Sequence, residues 1–528
     1  MKFIQGQNRD QLQLFPVSID QALESTNETR VIDAFINSLS LKDYGFKMDF
    51  IDNGRPAYHP ADLLKLYIYG YMNHIRSSRD LERECKRNIE VLWLMKCLQP
   101  DHNTISNFRR DNSVAIKKVF RATVQLAKHF DLIGGKLLAG DSTKLRAQNS
   151  KKNNYNQGKI DRHIEYIDRK LEEYNQILSQ QDGDKKEAVL GDIAKHTKRR
   201  ENYKKLEEQL HESKTEQIST SDPESRQMIV RNNITEVAYN VQTTVDSKHN
   251  IPIDYKVTNN NDSKAMGDMV KRTATILKKT DFTILYDKGY HTGSELKTAQ
   301  ELGVTPIVAI PEISSHAPDT KYDLKNFIYI KPKDFYICPQ GHELHSNGNW
   351  YDRNRGKYRD SVKMKQYKTS QCKTCPARNK CTTNKDGRVI ERSEYAENVA
   401  LNRKYVEANP ELYKKRQAIV EHPYGTIKRQ WGYSYIITKK GKLKASADVG
   451  FIFVAYNLRR LINILGIEVF FAHLKKLALI FSILLIGMKH KINIFEGIIF
   501  SNEYFHPKNI IALNRLLLNQ NSVNLRGF

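Results

Sequence analysis

One stretch decides the fold: Lys136-Leu137-Leu138-Ala139-Gly140-Asp141-Ser142-Thr143. It is a short apolar run that ends in a carboxylate, and a pair of glycines breaks the chain just before it. A second stretch repeats the pattern as Phe282-Thr283-Ile284-Leu285-Tyr286-Asp287. Apolar runs of this length, bounded by turn residues, are typical of buried strands. We therefore expect one strand to end at Asp141 and another to end at Asp287.

The segments around these two strands complete a sheet. Residues 236–246 and 251–257 alternate as paired strands do, with a turn at 247–250. Helical spacing follows at 263–279 and 294–302, and a last apolar strand is expected at 304–310. The order of strand, strand pair, helix, strand, helix and strand predicts a mixed α/β sheet.

Helical patterns precede and interrupt this sheet. Apolar residues recur at intervals of three and four from Pro60 to Cys97, and capping residues after Pro100 precede a further helix that runs to His129. Both plain helical packing and a helix-turn-helix DNA reader fit that pattern. The charged segment 151–218 has spaced apolar residues around Gln181-Asp182-Gly183-Asp184, which predicts a helical hairpin inserted after the first strand.

Five regions follow from these patterns. We expect a helical N-terminal domain at 1–130 and the first part of a catalytic domain at 131–320, which contains the insert 151–218. A basic, cysteine-containing insert is expected at 321–398, the second part of the catalytic domain at 399–468, and an apolar and basic extension at 469–528. The apolar run from Leu477 to Met488 is too short for the roughly 20 residues of a membrane span, so we interpret it as a buried helix.

The charge balance indicates the kind of partner. The chain has 85 Lys and Arg against 60 Asp and Glu, a formal net charge of +25. Such an excess favours a polyanion such as nucleic acid, although a merely basic soluble protein has the same composition. Six cysteines are too few for a disulfide scaffold and no signal peptide is evident at the N-terminus, so we expect a reduced, cytoplasmic protein.

Asp141 and Asp287 suggest a metal site. Open α/β sheets place ligands at the carboxyl ends of their strands, and a third carboxylate on a helix could close such a site. Two Asp and one Glu can hold two Mg²⁺ ions roughly 4 Å apart, the arrangement that supports displacement at phosphorus. Asp246 and Asp262 also lie near the sheet and are alternatives to Asp287. The sequence has neither a phosphate-binding loop with Lys-Ser/Thr nor a Gly-x-Ser-x-Gly turn.

Four segments in this order resemble the bacterial insertion-sequence transposases with an RNase H-like DDE domain. They are Leu138 to Lys144, the hairpin strand Tyr239 to Asp246 with Val257-Thr258-Asn259, Tyr286-Asp287-Lys288-Gly289-Tyr290, and Val420 to Arg429. The resemblance runs from about Gly54 to Leu465. It implies an RNase H-like mixed sheet, DNA transposition, and catalytic roles for Asp141, Asp287 and Glu421.

One branch of that family has a Tyr-Arg-Glu-Lys signature, which Tyr413, Arg416, Glu421 and Lys428 resemble. Four residues separate Arg416 from Glu421 where the branch has three, so the two lie about 140° apart on an ideal helix, against about 20° for Glu421 and Lys428. Lys428 is the safer match as a phosphate contact, and Arg429 follows it. Pro423 disturbs an ideal helix here. For Tyr413, packing and DNA stacking are both open.

The resemblance also implies a mechanism and partners. With Mg²⁺ or Mn²⁺, the chain would nick double-stranded DNA at the element's ends and join the freed 3′ hydroxyl to target DNA. Bringing two ends together implies a homo-oligomer on DNA, associated with the nucleoid and not with a membrane. The alternatives are a metal-dependent nuclease without strand transfer and an inactive DNA-binding repressor.

The cysteines make a separate prediction. Cys338 precedes Cys372, Cys375 and Cys381 at a spacing that predicts a four-thiolate zinc knuckle, with His342 as a substitute ligand. Cys85 and Cys97 are expected to be core thiols. The segment from Tyr351 to Cys381 holds 10 Lys and Arg against 2 Asp, interleaved with tyrosines, so it is either a DNA contact or a solvated basic face.

Overall fold

The computed structural model describes residues 18–48, 56–180, 184–213, 215–231, 234–311, 317–353, 361–438 and 440–477. Contacts divide the chain into two compact units, residues 1–40 with 465–528 and residues 41–464. In the first unit a 3-10 turn, Ile19–Ala22, precedes α1, Glu28–Asn37, and Asn27 caps α1 with a 2.8 Å bond from the Thr29 amide.

The helices in the described ranges can be compared with the length and hydropathy that a membrane span requires. No single helix there is long and apolar enough to cross a membrane, although Lys442–Leu465 and Ile467–Leu477 pass that test together as a bent pair. The helix predicted for Leu477 to Met488, and most of the extension 469–528, lie outside the described residues.

Six helices begin the second unit and confirm the helical prediction for residues 60–129. They are α2 Leu41–Tyr44, α3 Pro60–Met72, α4 Ser78–Arg87, α5 Ile89–Leu94, α6 His102–Asp111 and α7 Ser113–His129. Asp101 caps α6, because its side chain accepts a 2.7 Å bond from the Thr104 amide. Almost every residue of α3 is buried, so this helix is the core of the segment.

The charged insert is a helical hairpin, as predicted. It leaves the sheet after β1, Leu137–Arg146, and returns to it at β4. Between them lie β2 Asn154–Tyr155, α8 Gln157–Leu178, α9 Asp184–Glu212 and β3 Ile218–Ser219. Ile160, Leu210 and Ile218 form a small core at its base, while most of both helices is exposed. The predicted turn at 181–183 lies outside the described residues.

A six-stranded mixed sheet forms the centre of the second unit. Its strands are β1, β4 Arg226–Arg231, β5 Ile234–Asp246, β6 Ile251–Thr258, β7 Thr283–Tyr286 and β8 Thr305–Val308. Their order is β4-β5-β1-β7-β8, with β6 also paired to β5. β5 is antiparallel to β1, whereas β1, β7 and β8 are parallel neighbours. The predicted mixed α/β sheet is confirmed, and β4 is an additional strand that the sequence did not predict.

Two helices connect the later strands. They are α10 Met266–Leu277, which follows a 3-10 turn at Asp262–Lys264, and α11 Gly293–Glu301, which follows a 3-10 turn at Lys288–Tyr290. Both correspond to the predicted helices at 263–279 and 294–302. The two 3-10 turns pack against each other, so the chain after β6 meets the chain after β7.

The cysteine-containing insert is mostly β structure, which the sequence did not predict. Two three-stranded sheets form there, with orders β11-β10-β9 and β12-β13-β14. The elements are β9 Ile328–Ile330, β10 Phe335–Ile337, β11 Glu343–His345, β12 Trp350–Arg353, β13 Val362–Tyr367, α12 Arg378–Cys381 and β14 Ile390–Ser393. Residues 354–360 of the predicted basic segment lie outside the described residues.

Three helices follow: α13 Ala396–Ala408, α14 Pro410–Gly425 and α15 Lys442–Leu465. α14 passes through Pro423 and continues as a π-helical turn at Thr426–Gln430, so the proline does not end the helix. α15 is joined to the N-terminal helices by a buried network. Asp448 forms a 2.6 Å ion pair with Arg76 and accepts from Tyr71, whose hydroxyl also accepts from Arg109 at 3.1 Å.

Candidate active site

Asp141 lies inside a strand, which corrects the prediction that it ends one. β1 continues to Arg146 because its backbone pairs with β5 along its whole length. The parallel pairing with β7, however, covers only Leu137 to Ala139. Asp141 therefore lies just beyond the point where β7 stops, at an open edge of β1. Gly140 is required there, since a Cβ atom would lie 2.0 Å from the ring of Tyr286.

The surroundings of Asp141 raise the pKa of its carboxyl group. Oδ1 accepts a 2.7 Å bond from the Ser142 amide, and Oδ2 lies 3.4 Å from Nη1 of Arg416. Burial raises the pKa of Asp141 to about 6, Asp287 and Asp262 add to the rise, and Arg416 opposes it. A partly buried carboxylate under the influence of two others is a place where a cation would be stabilised.

Asp287 follows β7 directly, as predicted. Its side chain caps the 3-10 turn Lys288–Tyr290 by accepting a 2.8 Å bond from the Gly289 amide. Its charge influences the pKa of Asp141, so the parallel strands bring these two carboxylates into one site. The two firmest catalytic candidates are thus neighbours.

The two alternative carboxylates are separated by the structure. Asp246 lies buried at the far end of β5, where it accepts bonds from the amides of Gly134, Gly135 and Lys248, so it fixes a turn. Asp262 lies beside the site. Its Oδ2 is 3.0 Å from the Lys144 ammonium, and its Oδ1 accepts from the side-chain amides of Asn240 and Gln242.

Sequence reasoning missed how closely Asp262 is tied to this site. The signal that could have revealed it is the pair Asn240 and Gln242, two amides at a spacing of two on β5. Both are buried, and each follows an apolar residue, Tyr239 or Val241, that is buried as well. Buried amides require partners, so a buried acceptor had to face them.

One face of α14 meets the sheet beside Asp141. Tyr413, Val420 and Tyr424 pack toward the sheet, and the Tyr424 hydroxyl donates a 3.1 Å bond to the backbone oxygen of Asp141. Arg416 is on this face as well, so the arginine that the signature spacing left in doubt contacts the site. At the end of the helix, the Lys428 ammonium donates a 3.1 Å bond to Oγ1 of Thr143.

Glu421 is not in contact with Asp141 or Asp287. It is exposed and accepts a 2.7 Å bond from Nε2 of Gln417 on its own helix. Arg429 is exposed too. Among the described residues, no group of three or more His, Cys, Asp or Glu side chains is arranged to hold a metal ion. The site therefore brings together Asp141, Asp287, Arg416 and Lys428, and leaves the predicted third carboxylate at its margin.

The four cysteines of the insert line one small cavity. Cys338, Cys372, Cys375 and Cys381 surround it together with His342. Burial raises the pKa of Cys381, Arg388 opposes the rise, and the charges of the other three thiols add to it. Cys338 also accepts a 3.4 Å bond from the His342 amide, at a tight turn where Gly341 has a φ of 81°. Of the remaining thiols, Cys85 is buried as predicted, whereas Cys97 is exposed, so that prediction was wrong.

Two family models match the chain. A transposase domain, DUF772, matches residues 17–111, and a transposase DDE domain matches residues 337–462. The chain is therefore similar to transposases over both matched segments, and to DDE transposases over the second. The second match contains the four cysteines of the insert and the helix of Glu421, whereas Asp141 and Asp287 lie outside both matches. Neither match distinguishes the Tyr-Arg-Glu-Lys branch, which stays a prediction.

Other comparisons add little to this assignment. A cryo-EM structure of a piggyBac transposase synaptic complex with hairpin DNA is similar at a TM-score of 0.26 and 9% identity. That similarity covers 86% of this chain and 77% of the other chain. A likeness this remote carries no conclusion about activity. No curated protein matches the chain.

Proposed function

We propose that this transposase cuts double-stranded DNA at the ends of its element and joins the freed 3′ ends to target DNA. The observation that carries the proposal is the meeting of Asp141 and Asp287 at the open edge of β1, with Arg416 beside them. Carboxylates that repel one another are suited to hard divalent cations. Asp141, Asp287 and Glu421 would hold Mg²⁺ or Mn²⁺, and Glu421 would have to turn from Gln417 toward the sheet.

The bound ions would supply Lewis-acid stabilisation of the oxygens displaced at phosphorus. The protein's own groups would place the DNA. Arg416 on α14 contacts Asp141, and Lys428 in the following π-helical turn contacts Thr143, so both are cationic donors that can contact phosphate oxygens near Asp141. Tyr413 lies on the same face of the helix and would contact DNA next to Arg416, and the exposed Arg429 would extend the basic surface.

The partners follow from the reaction. A net charge of +25 favours binding to the DNA backbone. Holding two element ends at once requires more than one copy of the chain, so we infer a homo-oligomer on DNA in the bacterial cytoplasm. The helical segment before β1 and the basic strands from Tyr351 to Cys381 would carry further DNA contacts.

We also infer a structural zinc ion in the cysteine-containing insert. The supporting observation is that four thiols, the ligand set of closed zinc sites, border one cavity between β10, β11 and α12. Cys338, Cys372, Cys375 and Cys381 would be the ligands, with His342 as the substitute. The thiols would have to draw closer together than they now lie, since they do not yet form a ligand geometry.

The experiment that tests the reaction compares two variants of one strand. Asp287→Asn removes the carboxylate that follows β7, and Asp281→Asn changes an exposed aspartate just before the same strand. With labelled duplexes that carry an element end, and Mg²⁺ or Mn²⁺, we expect Asp287→Asn to cleave at least about a thousandfold more slowly, because metal stabilisation contributes several kcal/mol. Binding of the duplex should persist, and Asp281→Asn should cleave normally.

Each outcome separates the proposal from its rivals. Full cleavage by Asp287→Asn would overturn the assigned site. Cleavage without joining by the unaltered protein would identify a nuclease that does not transfer strands. Binding without cleavage by the unaltered protein, in either metal, would identify a DNA-binding repressor.

A further inference from the structure

Two lysines lie on opposite faces of β1 beside Asp141. Side chains alternate along a strand, so Asp141 and Thr143 are on one face and Ser142 and Lys144 on the other. Lys428 reaches the first face by its bond to Thr143. On the second face the Lys144 ammonium donates to Oγ of Ser142 at 2.8 Å and to Oδ2 of Asp262 at 3.0 Å. The catalytic carboxylate therefore has an ammonium group on each side.

Asp262 holds Lys144 within a fixed polar chain. Oδ1 of Asp262 accepts 2.7 Å bonds from the amides of both Asn240 and Gln242, which leaves Oδ2 for Lys144. Gln242 is itself held by a 2.5 Å bond from the hydroxyl of Tyr290, a fully buried residue. The two amides that donate to Asp262 lie on a central strand, and the buried Tyr290 fixes one of them. The position of the Asp262 carboxylate is therefore well determined.

The same carboxylate lies next to the catalytic aspartates. A Cβ atom on Gly289 would be 3.1 Å from Oδ1 of Asp287 and 3.8 Å from Cβ of Asp262, so these two residues flank one glycine. Side-chain exposure of Lys144 and Asp262 is 23% and 20%. The ion pair is thus accessible at the open edge of β1, where DNA must approach to reach Asp141.

An ammonium has three N–H groups. In the described part of the chain Ser142 and Asp262 accept two of those of Lys144, so one N–H is available to an incoming acceptor. We propose that Lys144 contacts a phosphate of the bound DNA on the face of β1 opposite Lys428, and that Asp262 is the positioning residue that holds it there. This inference rests on the proposed DNA cleavage at Asp141 and Asp287.

The test measures how the binding of an end-bearing duplex depends on salt. One phosphate contact contributes a slope of about 0.9 in log Kobs against log salt. We expect Lys144→Ala to lower the magnitude of that slope by about 0.9 and to weaken binding about fivefold at 0.15 M salt. Lys144→Arg should restore both. Lys248→Ala removes a similar Lys–Asp pair at the other end of β1 and should leave the slope unchanged.

Asp262→Asn separates positioning from charge. Removal of a negative charge beside DNA would by itself strengthen binding. Positioning predicts the opposite, weaker binding, and predicts that Asp262→Asn has no further effect when combined with Lys144→Ala. Stronger binding by Asp262→Asn, or an unchanged slope in folded Lys144→Ala, would overturn the proposal. These binding results differ from a failure of the proposed function, which would be seen as absent cleavage by the unaltered protein.

Discussion

Asp141 and Asp287 meet because β1 and β7 are parallel neighbours in the central sheet, whereas three of the four insert cysteines come together within a short segment around α12. The carboxylates are placed by strands from distant parts of the chain, and an apolar core that includes Ala139 and Leu285 of these strands lies beside them. The thiols are placed by tight turns, in a region of short strands with a small core of its own. If the thiols bind zinc as proposed, the metal would stabilise the insert, whereas the two aspartates are positioned by the strands of the sheet.

The largest effect that would sharpen this contrast is loss of zinc. Structural zinc sites contribute on the order of 10 kcal/mol to the folding of small domains. We expect one zinc per chain in freshly reduced protein, and we expect a chelator to increase hydrogen exchange throughout β10 to β14. Exchange in β1 and β7 should stay slow, because their hydrogen bonds lie in the central sheet.

Cysteine variants supply the control for zinc. Cys372→Ser should lose the metal, and Cys97→Ser, which changes an exposed thiol outside the insert, should retain it. Less than one equivalent of zinc in the unaltered protein, or equal protection of the insert with and without the chelator, would contradict the zinc prediction and remove the contrast.

A smaller effect tests whether Glu421, which lies apart from Asp141 and Asp287, is a metal ligand. We expect Glu421→Gln to slow cleavage by roughly a hundredfold to a thousandfold, because a lost metal ligand forfeits several kcal/mol of stabilisation. Gln417→Ala is the matched control, since it removes only the present partner of Glu421 and should leave cleavage nearly unchanged. The readout is the single-turnover rate on end-bearing DNA at saturating Mg²⁺.

The result with Glu421 also decides which carboxylate completes the site. If Glu421→Gln cleaves at the normal rate, Glu421 is not a ligand. Asp262 would then be the nearest remaining candidate, since its charge acts on Asp141 and its neighbour Gly289 also contacts Asp287.

Local patterns predicted much of the fold. The apolar run before Asp287, the hairpin β5–β6 and the cap at Asp101 each carry their information within a few residues, and each lies where expected. β1 is longer than predicted because Ser142 to Arg146, a polar segment, pairs through its backbone with β5. β4, Arg226–Arg231, was missed because its apolar run, Met228 to Val230, is only three residues long and lies between polar residues.

The site was harder to predict than the fold. Which face of α14 meets the sheet depends on tertiary packing, and here Val420 packs against the core while Glu421, one position later, faces solvent. Arg416 was in doubt from its spacing and yet contacts Asp141. Asp262 begins a short 3-10 turn, and its partners on β5 show where its side chain lies. Each of these depends on contacts between segments distant in the chain.

The smallest expected effect is on stability, and it concerns how much the charged Asp141 carboxylate lowers the free energy of unfolding. Burial raises the pKa of Asp141 from 3.8 to about 6, so the folded state binds this proton more tightly than the unfolded state. The free energy of unfolding therefore falls as pH rises from about 4 to about 6, and the loss is complete above that range. Asn carries no charge at any of these values. We expect Asp141→Asn to abolish cleavage and to be more stable than the unaltered protein at pH 7.5 by up to about 3 kcal/mol, at 1.36 kcal/mol for each pH unit. The difference should shrink toward zero near pH 4.

Urea unfolding in buffer without added divalent metal would measure this difference in stability, and hydrogen exchange in β1 would follow it locally. Asp281→Asn is the control, because it changes an exposed aspartate just before β7. Equal or lower stability of Asp141→Asn at pH 7.5 would contradict this prediction, because it would mean that the charged Asp141 carboxylate does not destabilise the sheet.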